Sequence, residues 1–230
     1  MIKKTFLIFF LFCLSCSSDD IIRSEKTSFY NIYKNVIIRE QSHNVSNVSS
    51  EKTSHDRKWL SQFKQPIVLL SSSDGKRQAT LVALGNYKNK LTWVSTDGIS
   101  VSFEDGVLIA TRGYSQDLME SNHENLNNLL NLSSKTRNKT YRYLNGQNEY
   151  EDIKFSCTIS VKKNTTSQIL DLRLKTTELT EVCKSEKNSH TNLYYLLPGT
   201  KIVLQSKQWI SQNNGYIICY NYYAFQNDLF

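Results

Sequence analysis

The chain has 230 residues, with 28 Lys and Arg against 21 Asp and Glu, a formal net charge of +7. The basic excess is spread along the chain and no basic helix or aromatic–basic motif gathers it. It therefore describes a solvated surface and gives no sign of a nucleic-acid partner. The length suffices for one good-sized domain with a substantial core.

Met1-Ile2-Lys3-Lys4-Thr5 is a short cationic start, and residues 6–14 (FLIFFLFCL) form an unbroken apolar run. Such a run has the length of a signal-peptide core and falls well short of the ~20 residues a bilayer-spanning helix needs. It ends in Leu14-Ser15-Cys16-Ser17-Ser18. A small residue before a cysteine at this place resembles the bacterial lipobox, although Cys13 stands where that pattern usually has Leu. The resemblance implies a leader over residues 1–15 and acylation at Cys16. Ser17 after the cysteine favours sorting to the outer membrane. One acyl chain holds a protein to a membrane only marginally, whereas the palmitate-type chains of a mature lipoprotein hold it firmly.

Residues 16–60 read as a lipidated tether, a short helix and a polar loop. Over residues 27–38, Phe29, Tyr30, Ile32, Tyr33, Val36 and Ile37 recur at three- and four-residue spacing, which predicts an amphipathic helix. Residues 40–55 are rich in Ser, Asn and His without apolar period and read as loop.

From residue 61 the pattern turns to β. Residues 66–70 and 79–84 are strand-like and flank Asp74-Gly75, a dipeptide suited to hairpin turns. Residues 91–95, Asp97-Gly98, the strictly alternating 99–103, Asp105-Gly106 and 107–111 continue the series. Consecutive strands joined by such turns predict an antiparallel meander. Residues 117–132 read as a loop and a short helix. Strand character resumes at 141–144, 153–161, 169–174, 177–183, 193–197, 201–210 and 216–224. No linker divides residues 61–230, so the expected fold is mainly β: a single domain on a large, curved, half-barrel-like antiparallel sheet with one or two short helices.

With Cys13 removed and Cys16 acylated, Cys157, Cys183 and Cys219 remain, and three pairings are open. The flanking strands favour Cys157–Cys183. That bridge closes a loop of about 27 residues, worth about 3 kcal/mol on the chain-entropy argument. Cys219, in the apolar run 216–220, then stays a buried free thiol. Metal ligation is a poor rival: there is no Cys-x-x-Cys, and His43, His55, His123 and His190 are scattered.

Two blocks carry a family resemblance. The first is Leu91-Thr92-Trp93-Val94-Ser95-Thr96-Asp97-Gly98, followed by residues 105–118 with Thr111-Arg112-Gly113 and Asp117-Leu118. The second is Thr191-Asn192-Leu193-Tyr194-Tyr195, Gly199, Ser206-Lys207-Gln208-Trp209-Ile210 and Gly215-Tyr216-Ile217. In this order the blocks resemble the GfcB/YjbF-like group 4 capsule and exopolysaccharide lipoproteins; Gly106-Val107 stands where that family usually has Gly-Arg. The resemblance implies an outer-membrane lipoprotein, its domain facing the periplasm. Its implied role is an accessory one in polysaccharide assembly or export, with the export proteins or the glycan as partner, no cofactor and no catalytic activity.

Trp93, Trp209, Tyr220, Tyr222 and Tyr223 are candidates to stack on sugar faces, against the commoner role of aromatic strand residues in core packing. Arg112 and Asp117 flank a turn and suit either a ligand or each other. Glycan hydrolysis calls for two opposed carboxylates. Asp97, Glu104 and Asp105 have sufficient reason in their turns, and no Gly-x-Ser-x-Gly, His-Glu-x-x-His or phosphate loop is present. The remaining alternative is a lipid or lipoprotein carrier, which calls for a deep aliphatic cavity.

Overall fold

Among the described residues twelve strands follow one another as an antiparallel meander, β1 through β5 and β6 through β12, in a single sheet ordered β5-β4-β3-β2-β1-β12-β11-β10-β9-β8-β7-β6. The structure, a computed structural model, describes residues 57–87, 90–122, 136–145, 147 and 149–226. The leader, Cys16, the helix expected over 27–38, the loop 40–55 and most of the helix expected within 117–132 lie outside the described residues. So do His43, His55 and His123.

The strands are β1 Ile67–Ser72, β2 Gln78–Tyr87, β3 Lys90–Val94, β4 Ser100–Glu104, β5 Val107–Arg112 and β6 Leu118–Ser121. They continue with β7 Thr136–Leu144, β8 Tyr150–Ile169, β9 Leu172–Lys184, β10 Ser189–Leu196, β11 Val203–Ser211 and β12 Gly215–Tyr220. Short helices α1, Arg57–Leu60, and α2, Tyr223–Gln226, bracket them. All described residues fall in one compact unit, 46–230.

Because the ordering runs from β5 round to β6, the two edge strands are neighbours in sequence, and the curved sheet brings them together as a nearly closed barrel. Side chains bridge this seam in place of a backbone ladder. The Leu118 amide donates to Thr111 Oγ1 (2.9 Å), and the Ser121 hydroxyl donates to the Leu108 carbonyl (2.9 Å). From inside, Gln208 of β11 reaches β5, accepting from the Leu108 amide (2.7 Å) and donating to the Gly106 carbonyl (2.9 Å).

The inner face holds the apolar residues: Val68, Leu70, Leu81, Trp93, Val101, Phe103, Leu108, Phe155, Trp209 and Ile217 form one buried cluster. Along β8 the outward residues Lys154, Ser156, Thr158, Ser160 and Lys162 are exposed. Apolar inside and polar outside is the reverse of a lipid-facing barrel. The β4–β5 turn shows why Asp-Gly is used: Asp105 and Gly106 both have positive φ (51° and 83°), the geometry of a two-residue type I′ turn. A Cβ on Gly106 would also stand 2.5 Å from Val203 Cγ2, so the position admits no side chain without displacing β11.

Three expectations are corrected. Residues 118–121 are the strand β6, paired with β7, and not part of a loop or helix. Residues 169–174 are not a separate strand: Leu170 turns with φ 55°, ending β8 and beginning β9. The polar run between, Lys162 to Gln168, is strand through its pairing with β9, which apolar periodicity does not report. Finally, the strand expected over 216–224 stops at Tyr220 and gives way to α2.

Candidate functional site

Alternation along β3 turns Leu91 and Trp93 to the concave side, and the β3–β4 register sets Phe103 opposite Leu91. These three, with Val68 of β1, make the apolar wall of a half-open groove of about 290 Å³. Val203 and Ser206 of β11 and Cys219 of β12 face them, and Asn86, Asp105, Gly106, Asn221 and Tyr223 complete the lining. Trp93 is 3% exposed and packs against Tyr223 at an edge-on angle (centroids 6.3 Å, 62°).

Asn221 is held at the end of β12 by its amide, which donates to the Leu204 carbonyl (2.9 Å), and by Nδ2, which donates to the Val203 carbonyl (2.9 Å). Its Oδ1 is buried and accepts no hydrogen bond among the described residues. A buried acceptor without a donor carries a desolvation cost of about 1–3 kcal/mol, and Asn221 is among the residues that line the groove. Burial pushes the Cys219 thiol up to about 12, so it is a neutral, unreactive part of the wall.

The residues singled out in the sequence are not gathered in one place. Trp93 and Tyr223 line the groove. Trp209 stands elsewhere in the core, stacked on His190 (4.4 Å, 8° between planes) and edge-on to Tyr141, Tyr143 and Phe155. Tyr222 is buried against Trp59, and Tyr220 is half-buried beside Tyr222. Arg112 and Asp117 are at the seam. The Asp117 carboxylate accepts from Thr111 Oγ1 (2.8 Å) and from the amides of Gly113 (2.9 Å) and Tyr114 (3.1 Å). Arg112 Nη1 donates to the carbonyls of Thr111 and Leu118. Cys157 and Cys183 occupy directly opposed positions on β8 and β9 and form a disulfide.

Sequence reasoning missed a buried ionic cluster beside that disulfide. Arg137 and Lys139 point inward from β7 and Glu181 from β9. Glu181 is fully buried; its carboxylate receives Arg137 Nε (3.0 Å) and Nη2, Lys139 Nζ (3.1 Å), Asn192 Nδ2 (2.8 Å) and the Tyr194 hydroxyl (3.4 Å). Burial alone would raise this carboxyl, but Lys139, Arg137 and the hydrogen bonds outweigh it and hold it at about 2. Nearby, burial, with Lys139 as the next contribution, lowers the His190 imidazole to about 4. The signal was period two: Arg137, Lys139, Tyr141 and Tyr143 share one face of β7.

Cys157, Glu181 and Cys183 lie within 4.8 Å of one another, the metal-ligand grouping found among the described residues. Their sulfurs are bonded to each other and the carboxylate is engaged by two cations, so they do not make a metal site.

The sequence profile of the group 4 capsule polysaccharide lipoproteins gfcB and YjbF matches residues 35–219. Among solved structures, the hypothetical lipoprotein YmcC from Escherichia coli (K12) is similar, with a TM-score of 0.61 at 15% identity. The match covers 77% of this chain and 96% of that one, and at this identity it speaks for the fold. No curated protein matches by sequence.

Proposed function

The chain belongs to the group 4 capsule polysaccharide lipoprotein family, and from that membership we propose that it is a non-catalytic accessory factor in capsule or exopolysaccharide assembly or export. In this reading it is acylated on Cys16, anchored in the outer membrane, and holds a saccharide unit of the polymer in the groove while the export proteins act on it.

The observation that carries the glycan arm is the groove's lining. Tyr223, partly exposed and backed by the buried rings of Trp93 and Phe103, supplies ring surface for the apolar face of a sugar, while Asn86, Asp105, Ser206 and Asn221 supply polar groups along the lining. A lipid carrier calls for an aliphatic cavity, and this mixed lining favours sugar over acyl chain. Of the carboxylates weighed for hydrolysis, Asp105 lines the groove and Asp117 is spent at the seam, which supports binding without chemistry.

Deleting the gene in the native host is expected to lower surface or secreted polysaccharide; an unchanged yield would overturn the pathway assignment. Oligosaccharides from the same polymer are expected to change the fluorescence of Trp93. Asn221→Ala should weaken their binding about tenfold by removing a polar group of the lining, and equal affinity in that variant would remove the groove from the reading.

A further inference from the structure

The β8–β9 hairpin outruns its neighbours. β7 accompanies β8 only to the pair Thr136 and Thr158, and β10 accompanies β9 only from Thr177 onward. Residues 163–176 are thus a two-stranded ribbon among the described residues, an arrangement of marginal stability by itself. It is steadied from one side: Ser167, Ile169 and Thr176 are buried, and the Ser167 hydroxyl donates to Gln205 Oε1 of β11 (3.3 Å).

The other side is cationic. Lys175 is opposite Thr166 and Arg173 opposite Gln168, while Lys162 and Lys163 stand at the bulge where the register shifts. All four basic residues are exposed, and none forms an ion pair among the described residues. Only Glu178, opposite Lys162, and Asp171 in the turn carry the opposite sign. Arg173 and Lys175 are two positions apart on one strand, about 6.6 Å, inside the Debye length of about 8 Å at physiological salt. Their fields add, and holding like charges together this way is unfavourable unless an anion offsets it.

We propose that this ribbon is a docking surface for an acidic polysaccharide. The inference rests on the family-based reading above but concerns a second surface and the charge class of the polymer. Arg173 suits bidentate contact with a sugar carboxylate, the lysines act as point charges, and Thr166 and Gln168 present hydrogen-bonding groups to hydroxyls between them. A repeating polymer engages ribbon and groove together, so two weak contacts give an avidity neither has alone. An anionic membrane is the competing partner for basic surfaces. Membrane-seated surfaces pair cations with exposed large apolar residues, and among the described residues those, Leu84, Leu144 and Tyr150, are all outside the ribbon.

The test uses the full chain in neutral detergent, with polygalacturonate as acidic probe, dextran as neutral control, and vesicles of phosphatidylglycerol in phosphatidylcholine. Polygalacturonate is expected to bind, more weakly as salt rises. Combined Lys162→Gln, Lys163→Gln, Arg173→Gln and Lys175→Gln should reduce the affinity about tenfold or more with an unchanged thermal midpoint, since all four side chains are exposed. Equal binding by that variant, equal binding of dextran, or binding to the vesicles alone would overturn the ribbon. If the ribbon variant binds normally while Asn221→Ala loses host oligosaccharide, this inference fails and the groove reading stands. If deletion leaves polymer yield unchanged, the pathway reading fails whatever the ribbon binds.

Discussion

Glu181 faces two cations, so among the described residues this cluster carries one positive charge more than it balances. Removing the carboxylate leaves Arg137 and Lys139 buried and mutually repelling. Glu181→Ala is therefore expected to destabilise the fold by about 3–5 kcal/mol, measured by urea unfolding. His190 sets a different dependence. Its folded-state value is about 4 against an ordinary 6.5, because it is buried beside Lys139 and between Trp209, Tyr141 and Phe155. Below pH 6.5 the unfolded chain takes up a proton that the folded chain refuses, so stability falls as pH drops from 6.5 to 4 and is flat above. Glu181 acts lower: its contribution, complete above about pH 4.5, is lost as pH approaches 2. His190→Phe keeps a ring against Trp209 and is expected to flatten the upper part of the profile; an unchanged slope between pH 6.5 and 4 would count against it. These roles were hidden at this scale because Arg137 and Lys139 read as ordinary charged strand residues until their alternation with Tyr141 and Tyr143 is taken seriously.

At the scale of elements, the seam between β5 and β6 is where the sheet closes, and it closes through a few side chains. Asp117 ties three donors of residues 111–114, and Thr111 in turn receives the first amide of β6. Asp117→Ala is expected to cost about 2–3 kcal/mol and to speed hydrogen exchange at the amides of Gly113, Tyr114 and Leu118; unchanged exchange there would deny it this part. The strands β1 to β5 were legible because three of their four turns carry Asp-Gly and their inner residues are apolar. Strand β6 was not: four residues long, it has too few positions to show a period and is strand because it pairs with β7. The β8–β9 ribbon escaped for the opposite reason. Ser167 and Thr176, two of its inner positions, are small polar groups that send no hydrophobic signal, and the apolar inner residues Ile169, Leu172 and Leu174 flank the turn and so read as one strand. The disulfide was legible as a preference among pairings, since Cys157 and Cys183 sit in strands; that they are directly opposed depended on β8 and β9 being adjacent.

For the molecule as a whole, the proposal that bears on location is acylation of Cys16. Cys16→Ser is expected to yield a chain that takes up no labelled acyl chain and leaves the membrane fraction, and retained acyl label would overturn the anchor. What the sequence by itself determined is the family and a meander of strands, because motif order, turn dipeptides and period-two alternation are local properties of the chain. Only the tertiary structure decided which strands face each other across the barrel. The groove joins Trp93 to Asn221 and Tyr223, and the ionic cluster joins Arg137 to Glu181. Alternation states which side of a strand is inward. It does not state what waits there, since that is fixed by the curvature that carries β5 round to β6 and by the residues the closed sheet then brings together.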